Sequence, residues 1–296
     1  MINFPYVHET EELTDSVRAN AGGSFVQLSD GVCHYESSKI DNAQTIVLIH
    51  GFSVPYYIWD PTFDFLAQSG FHVLRYDLFG RGFSDRPNTA YNIHFFVRQL
   101  KELLDVLEIK KPVHLAGLSM GGPISTTFVD RFPERVQSHI LIDPAGAKPI
   151  RLSWALNAKN LPLLPELILG LFGGEHLVKS IASDFFTPDL IDQFQSRYRV
   201  QMRYKGFLRA ILSTVRNGML DSFRDTYMRV GKLKKPTLLL WGRNDTTVPF
   251  ASSKDILADI PHAEFHPIED SGHIPHYEKP GIVNPILFKF LSLSNH

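Results

Sequence analysis

This chain of 296 residues has a single cysteine, almost no net charge and no long apolar run. A single cysteine, Cys33, excludes an internal disulfide and suits a reducing compartment, so we expect a cytoplasmic protein. The formal net charge is −1, and neither sign of charge is in excess. This balance gives no indication of nucleic acid or an anionic membrane surface as a partner.

Targeting and membrane-spanning signals are missing as well. The first fifteen residues, MINFPYVHETEELTD, lack the basic and apolar regions of a signal peptide. The most apolar stretch, Leu161 to Phe172, is too short to span a bilayer and contains two prolines and a glutamate. We therefore expect no stable membrane insertion. Zinc-ligand spacing, a phosphate-binding glycine loop and internal repeats are also lacking, so we predict no metal and no cofactor.

What is present is a regular alternation of strand-like and helix-like segments. A hairpin is predicted around Asp30-Gly31, where alternating residues flank a turn dipeptide. Continuous apolar runs predict buried strands at Thr45 to His50, His72 to Asp77, Val113 to Gly117, Ser138 to Asp143, Thr237 to Gly242 and Ala263 to Ile268. Helical spacing predicts helices at Trp59 to Gln68, Asn92 to Leu107, Gly121 to Phe132, Ser252 to Ile260 and Pro280 to Leu291.

This order predicts an α/β fold with one interruption. Strands that alternate with helices form a mostly parallel sheet covered on both faces. The alternation stops after Asp143, and residues 145–232 are predicted as helices and loops without a strand. We therefore divide the chain into a core, residues 1–144 and 233–296, and an inserted helical cap, residues 145–232.

A serine between glycines is the strongest chemical signal in the chain. The segment Gly117-Leu118-Ser119-Met120-Gly121 separates a predicted strand from a predicted helix, as a nucleophile elbow requires. In so tight a turn, a Cβ two residues to either side of the serine would collide with the neighbouring strand or helix. The alternative is a glycine-rich turn in which Ser119 has no chemical role.

A serine nucleophile needs a base and an acid, which should follow it in the order acid, then histidine. Asp245 comes directly after the predicted strand at Thr237, and His273 lies in the loop after the last predicted strand. Each has a rival. Asp143 ends the preceding strand and could reach the same histidine, and His276 lies three residues beyond His273.

Five motifs in order resemble those of the α/β-hydrolase superfamily over nearly the whole chain. They are HGF (His50 to Phe52), YDLFGRGFSDRP (Tyr76 to Pro87), GLSMGG (Gly117 to Gly122), WGRNDTTVP (Trp241 to Pro249) and SGHIPHYEKP (Ser271 to Pro280). The resemblance implies the α/β-hydrolase fold, with a mostly parallel, twisted sheet between helices and an inserted cap.

The resemblance also implies a set of site residues. Ser119, Asp245 and His273 would form the catalytic triad, and the backbone N–H groups of Phe52 and Met120 would form the oxyanion hole. For the substrate pocket we expect His50, Gly51, Leu118, Leu164 and Ile168. His50 would brace the loop that carries Phe52, or would touch the substrate.

At some motif positions this chain differs from particular groups of α/β-hydrolases, and these differences narrow the range of reactions that we predict. Haloalkane dehalogenases and epoxide hydrolases carry aspartate at the elbow, where this chain has Ser119. Carbon–carbon bond hydrolases of ring-cleavage products commonly have tryptophan after the catalytic histidine, whereas Ile274 stands here. For enol-lactonases we identify no cationic clamp.

We therefore predict a hydrolase of short- to medium-chain carboxylic esters or monoacylglycerols that works through an acyl-enzyme. The alternative within enzymes is a carbon–carbon bond hydrolase of vinylogous diketones, or an enol-lactonase, that uses the same triad. A ligand receptor that has lost turnover is a further reading, because some members of this fold bind without catalysis. The expected partner is a small-molecule ester, and the sequence leaves open whether the chain forms a homodimer.

Overall fold

The computed structural model describes residue 6, residues 9–150 and residues 174–294. Eight strands form one sheet in the order β1-β2-β4-β3-β5-β6-β7-β8. They are β1 (Ser24–Leu28), β2 (Gly31–Ser37), β3 (Thr45–Ile49), β4 (His72–Tyr76), β5 (Val113–Leu118), β6 (Val136–Ile142), β7 (Thr237–Gly242) and β8 (Glu264–Ile268). The pairs β1–β2 and β2–β4 are antiparallel and all others are parallel, so the predicted mostly parallel sheet is confirmed.

Helices flank this sheet on both faces. They are α1 (Asp15–Ala19), α2 (Asp60–Gln68), α3 (Ile93–Val106), α4 (Gly121–Arg131), α5 (Gly174–Ser180), α6 (Ile191–Met202), α7 (Phe207–Arg216), α8 (Arg224–Leu233), α9 (Ser253–Asp259), α10 (Pro275–Glu278) and α11 (Pro280–Leu293). Within the described ranges, no helix has both the length and the apolar character that crossing a membrane requires.

The central strands are buried on both faces, which is why their sequences are continuous aliphatic runs. Along β3, Val47 and Ile49 pack into one apolar cluster, whereas Ile46 and Leu48 pack into the other. This alternation follows from the two-residue period of a strand. Helices α3, α4, α8 and α9 contribute to the first cluster, and α2, α6 and α11 contribute to the second.

The parallel register brings the loops that matter for function to one edge of the sheet. At the carboxyl ends of the strands, Ile49 is paired with Gly117, Leu118 with Ile142, and Gly242 with Ile268. The turns that follow β3, β5, β6, β7 and β8 therefore leave the sheet side by side. In open α/β sheets, ligands bind at this edge.

Helices α5 to α8 lie between β6 and β7, and no strand of the sheet occurs in the described residues of this segment. Helix α6 contacts the edge loops: Gln201 Nε2 donates to the Ser53 carbonyl at 2.8 Å, and Gln201 Oε1 accepts from the Gly82 N–H at 2.9 Å. The division into core and cap remains a prediction. Residues 151–173, which include Leu164 and Ile168, lie outside the described residues.

Candidate active site

Ser119 is held in a strained backbone conformation between β5 and α4. Its φ is +52°, in the left-handed region that costs energy for any residue with a side chain. Three backbone hydrogen bonds maintain it: the Ser119 N–H donates to Ile142, and the Ser119 carbonyl accepts from Gly122 and Ala145, at 2.9 to 3.0 Å. Strain maintained by so many bonds indicates that the turn presents the side chain for a purpose.

The two glycines of the turn are sterically required. A Cβ on Gly117 would lie 2.3 Å from the carbonyl oxygen of Gly121, and a Cβ on Gly121 would lie 2.4 Å from that of Ile49. Both distances are far below van der Waals contact. The predicted collisions with helix and strand are therefore confirmed at both positions.

The structure joins His273 to Asp245. His273 Nδ1 lies 2.7 Å from Asp245 Oδ2, and Asp245 Oδ1 accepts the N–H groups of Thr247 and Val248 at 2.8 and 2.9 Å. Both side chains are buried. Because Nδ1 donates to the carboxylate, Nε2 is left as the nitrogen that can accept a proton.

The rival histidine occupies a different environment. His276 is fully buried, and its ring packs against Trp59 with the ring centroids 4.3 Å apart. Burial lowers its pKa to about 3, so it is neutral at physiological pH. In contrast with His273, the His276 ring has no carboxylate to orient it among the described residues.

Two opposing effects set the basicity of His273. Burial lowers its pKa, whereas the charge of Asp245 and the hydrogen bond to it raise the pKa, and the net result lies above the ordinary value of 6.5. The imidazolium that forms when the ring takes a proton is therefore stabilised where it is needed.

Asp143 is the second carboxyl group at this edge. It follows β6 directly and is fully buried, and its Oδ1 accepts the Gly242 N–H at 2.9 Å. Donor atoms of Asp143, Asp245 and His273 all lie within 4.8 Å of one another, close enough to consider a metal ion. We interpret the cluster as an ion pair of Asp245 and His273 with Asp143 beside it, and not as a metal site. Asp245 already binds two backbone N–H groups and His273.

Glu278 and Asp184 position the histidine loop, and the sequence assigned neither of them a role. Glu278 accepts the Gly272 N–H at 2.7 Å and the N–H groups of Phe186 and Thr187 at 2.8 and 2.9 Å. The His273 N–H donates to the Asp184 carbonyl at 2.8 Å. The loop is therefore tied to the helical segment. Glu278 lies within the SGHIPHYEKP motif, but Phe186 and Thr187, its partners on the helical segment, are more than ninety residues away in the chain.

Phe52 and Met120 lie on the two turns nearest Ser119. A Cβ on Gly51 would lie 3.1 Å from the Ser119 Cβ, so the loop that carries Phe52 passes directly beside the serine. Within the described part of the chain, neither the Phe52 N–H nor the Met120 N–H donates a hydrogen bond, which leaves both available to an oxyanion. Their catalytic role remains a prediction.

The Ser119 hydroxyl and His273 are not hydrogen-bonded to each other among the described residues. Both side chains are largely buried, with total exposures of 7% and 4%. Hydrogen bonds of this kind are often long in a ligand-free enzyme and tighten when substrate binds. The contact between nucleophile and base therefore stays a prediction.

His50 and Arg81 brace the loop that carries Phe52. His50 lies 3.0 Å from the Gly51 carbonyl through Nδ1 and accepts the Leu78 N–H at 2.9 Å through Nε2. Burial lowers its pKa to about 4, so the ring is neutral. Arg81 Nε donates to the Phe52 carbonyl at 2.8 Å. These bonds favour the bracing role for His50, and its place in the substrate pocket stays a prediction.

The other residues predicted for the pocket have mixed outcomes. Gly51 lies against Ser119, as stated above. Leu118 is buried in β5 and packs into the second apolar cluster. Leu164 and Ile168 fall outside the described residues, so their predicted place in an acyl pocket is untested.

Comparison with known proteins adds a family and a set of relatives. The family model described as alpha/beta hydrolase fold matches residues 44–280. The chain is 29% identical over 294 residues to a 2-hydroxy-6-oxononadienedioate/2-hydroxy-6-oxononatrienedioate hydrolase of Klebsiella pneumoniae. That match covers 97% of this chain and 99% of the relative.

Solved structures of enzymes with different named activities resemble this fold. A meta-cleavage product hydrolase from Pseudomonas fluorescens IP01 gives a TM-score of 0.76 at 24% identity, covering 92% of this chain and 98% of that one. A thermophilic esterase from Thermogutta terrifontis gives 0.77 at 21% identity, covering 93% and 100%. At these identities the likeness shows the shared fold alone.

The elbow glycine gives a prediction for stability. We expect Gly117→Ala to lower the free energy of unfolding by about 3 kcal/mol, because the added methyl group would have to displace backbone atoms. Gly22→Ala is the matched control, since a Cβ there would meet nothing within 4 Å. Urea denaturation of both variants measures the difference. Equal stabilities would contradict the steric argument.

The raised pKa of His273 gives a prediction for activity. The base must be neutral to accept a proton, so we expect kcat/KM to fall on the acid side with an apparent pKa above 6.5. A rate profile between about pH 5 and 9 measures this limb. Repeating the profile with a second substrate separates the pKa of the enzyme from that of the substrate. A limb below 6.5 would mean that Asp245 does not hold the ring as described.

Proposed function

The chain belongs to the α/β-hydrolase fold family, and from that premise we propose that it is a serine hydrolase with Ser119, His273 and Asp245 as its catalytic triad. The observation that carries the proposal is the buried His273–Asp245 hydrogen bond at the sheet edge where the strained turn presents Ser119. Base and acid thus come from the ends of the neighbouring strands β8 and β7, and the nucleophile follows β5 at the same edge of the sheet, an arrangement that suits the mechanism.

The proposed mechanism uses the parts in sequence. His273 Nε2 takes the proton of the Ser119 hydroxyl as the oxygen attacks the substrate carbonyl, and Asp245 stabilises the resulting imidazolium. The Phe52 and Met120 N–H groups bind the oxyanion, and losing one such donor would lower the rate by about 10²–10³-fold. His273 then gives its proton to the leaving group, and water releases the acyl group by the same route.

For the substrate we propose a vinylogous diketone of the 2-hydroxy-6-oxo-dienoate type, cleaved at a carbon–carbon bond. The support is the Klebsiella pneumoniae relative named for such a compound, which matches over almost its entire length. This revises the expectation of a carboxylic ester. The carbon–carbon bond hydrolases commonly have tryptophan where this chain has Ile274. This difference argues that one end of the substrate differs from that of their substrates.

A buried cation beside the oxyanion loop supports an anionic substrate. Arg81 is fully buried, and its guanidinium binds the Phe52 and Phe79 carbonyls and the Thr214 hydroxyl. In the ranges that the structure describes, no carboxylate lies within ion-pair distance of it. Burial lowers its pKa to about 10, so it remains charged at neutral pH. An uncompensated positive charge there would favour substrates and transition states that carry negative charge.

Hydrolysis of carboxylic esters or enol-lactones is the second candidate. The same nucleophile, base and oxyanion donors hydrolyse any activated acyl group, and Ile274 departs from the pattern of the carbon–carbon bond hydrolases. Solved structures of an esterase and an enol-lactonase have the same fold. Only turnover distinguishes the two candidates.

We predict that a fluorophosphonate probe labels Ser119 and that a vinylogous diketone is turned over with a kcat/KM at least about 100-fold above that of p-nitrophenyl esters of any chain length. Ser119→Ala should abolish labelling and lower kcat by about 10⁴ or more, because no nucleophile remains. Ester turnover without diketone cleavage would favour the second candidate. Absence of both labelling and turnover would favour a receptor.

A further inference from the structure

Two buried carboxyl groups lie side by side at the edge of the sheet. Asp143 follows β6 and is 0% exposed, and Asp245 follows β7 and is 5% exposed. The two residues have carboxyl oxygens within 4.8 Å of each other. Two carboxylates offer only acceptors, so a hydrogen bond between the two groups requires a proton on one of them. Like charges this close in a dry site do not both ionise.

The hydrogen-bond partners assign the proton to one carboxyl group. Asp245 accepts two backbone N–H groups and the His273 ring, three donors that stabilise a negative charge. Asp143 accepts only the Gly242 N–H through Oδ1. Its Oδ2 is buried and receives no donor from any described residue, which is costly for an ionised oxygen but not for one that carries a hydrogen.

The charges around Asp143 point the same way. Burial raises its pKa well above the ordinary value, and the charges of Asp245 and Glu278 raise the pKa further, whereas the Gly242 N–H lowers it. His273, on the loop after β8, is the cationic partner when protonated, but its ring is bonded to Asp245. Among the described residues that face Asp143, none therefore compensates a second negative charge.

We propose that Asp143 is a positioning residue: a neutral carboxylic acid whose hydroxyl donates to the Asp245 carboxylate and which becomes the acid beside His273 when Asp245 is lost. Its kinetic consequences rest on the proposed triad, whereas its protonation state does not. By donating, Asp143 spreads the charge of Asp245 and limits how basic His273 becomes. When the Asp245 charge is removed, Asp143 can release its proton to solvent, and its carboxylate can then accept the hydrogen on His273 Nδ1.

The backbone at Asp143 makes a matched variant available. Its φ is +42°, a conformation that asparagine tolerates better than most residues. Asparagine has nearly the same shape and donates a hydrogen bond without a charge. Asp143→Asn therefore replaces a neutral acid closely, whereas it would remove a full charge from an ionised one. Asp143→Ala removes both the charge and the donor.

The first test reads the proton directly and needs no substrate. Infrared difference spectra of wild type against Asp143→Asn at neutral pH should show the C=O stretch of a protonated carboxylic acid in the wild type, shifted in D₂O and absent in the variant. Asp189→Asn, on an exposed turn, is the control and should keep the band. A wild type without the band overturns the proposal, whatever the activity of the protein.

The second test is kinetic and gives opposite signs for the two protonation states. If Asp143 is a neutral donor, Asp143→Ala should lower kcat/KM about 10-fold and move the acid limb up by about half a pH unit, because Asp245 regains its full charge. Asp143→Asn should restore most of the loss. If Asp143 is ionised, its removal takes away a negative charge, and the limb moves to lower pH.

The reserve role is tested by combining variants. Asp245→Asn should lower kcat by about 10²-fold, less than the roughly 10⁴-fold seen when a triad has no acid, and adding Asp143→Asn should bring the loss to that level. Equal rates for the single and double variants overturn the reserve role. If no variant and no wild type turns over any substrate, the proposed function fails, and the infrared band still decides the state of Asp143.

Discussion

The tight turn at Ser119 is the constraint on which the rest of the site depends. A left-handed φ for a residue with a side chain is unfavourable, and here bonds from β6 and from the start of α4 maintain it. The turn is possible only because Gly117 and Gly121 let helix and strand approach to distances that a Cβ would forbid. This local cost places Ser119 beside the loop after β3, at Gly51, and next to the residues that follow β6, at Ala145.

Around that turn, burial decides which groups carry charge. His50 is neutral because burial opposes its protonation, and both its ring nitrogens serve the backbone. His273 has its pKa raised by Asp245 in spite of burial, and Arg81 keeps its charge although it is surrounded by rings and carbonyls. In a site of low dielectric such charges act strongly. His50 and Arg81 both hold the loop that carries Phe52 through hydrogen bonds, but only Arg81 brings a charge to it.

Much of the fold was predictable from sequence, because the signals were local. Strands such as β3 and β7 were predicted to within about a residue, since an aliphatic run buried on both faces has few alternatives. The elbow was predictable for the same reason. Asp245 was also chosen over Asp143 from the sequence, although both follow strands at one edge, and in the structure His273 Nδ1 lies against Asp245. Glu278 was missed because Phe186 and Thr187, two of the N–H donors it binds, lie far away in the chain. The substrate depends on pocket shape, which no local pattern encodes.

The pair of carboxyl groups follows from the geometry of a parallel sheet. The mechanism requires only a carboxylate oxygen beside His273 Nδ1. The ends of β6 and β7 are neighbours in the sheet, with Ile142 opposite Leu240. Either strand end can therefore supply that oxygen at little structural cost. A chain that has an aspartate at both ends must keep one of them neutral, because the dry edge of the sheet stabilises one charge and not two. The backbone N–H groups that follow β7, two of which bind Asp245, decide which one is ionised.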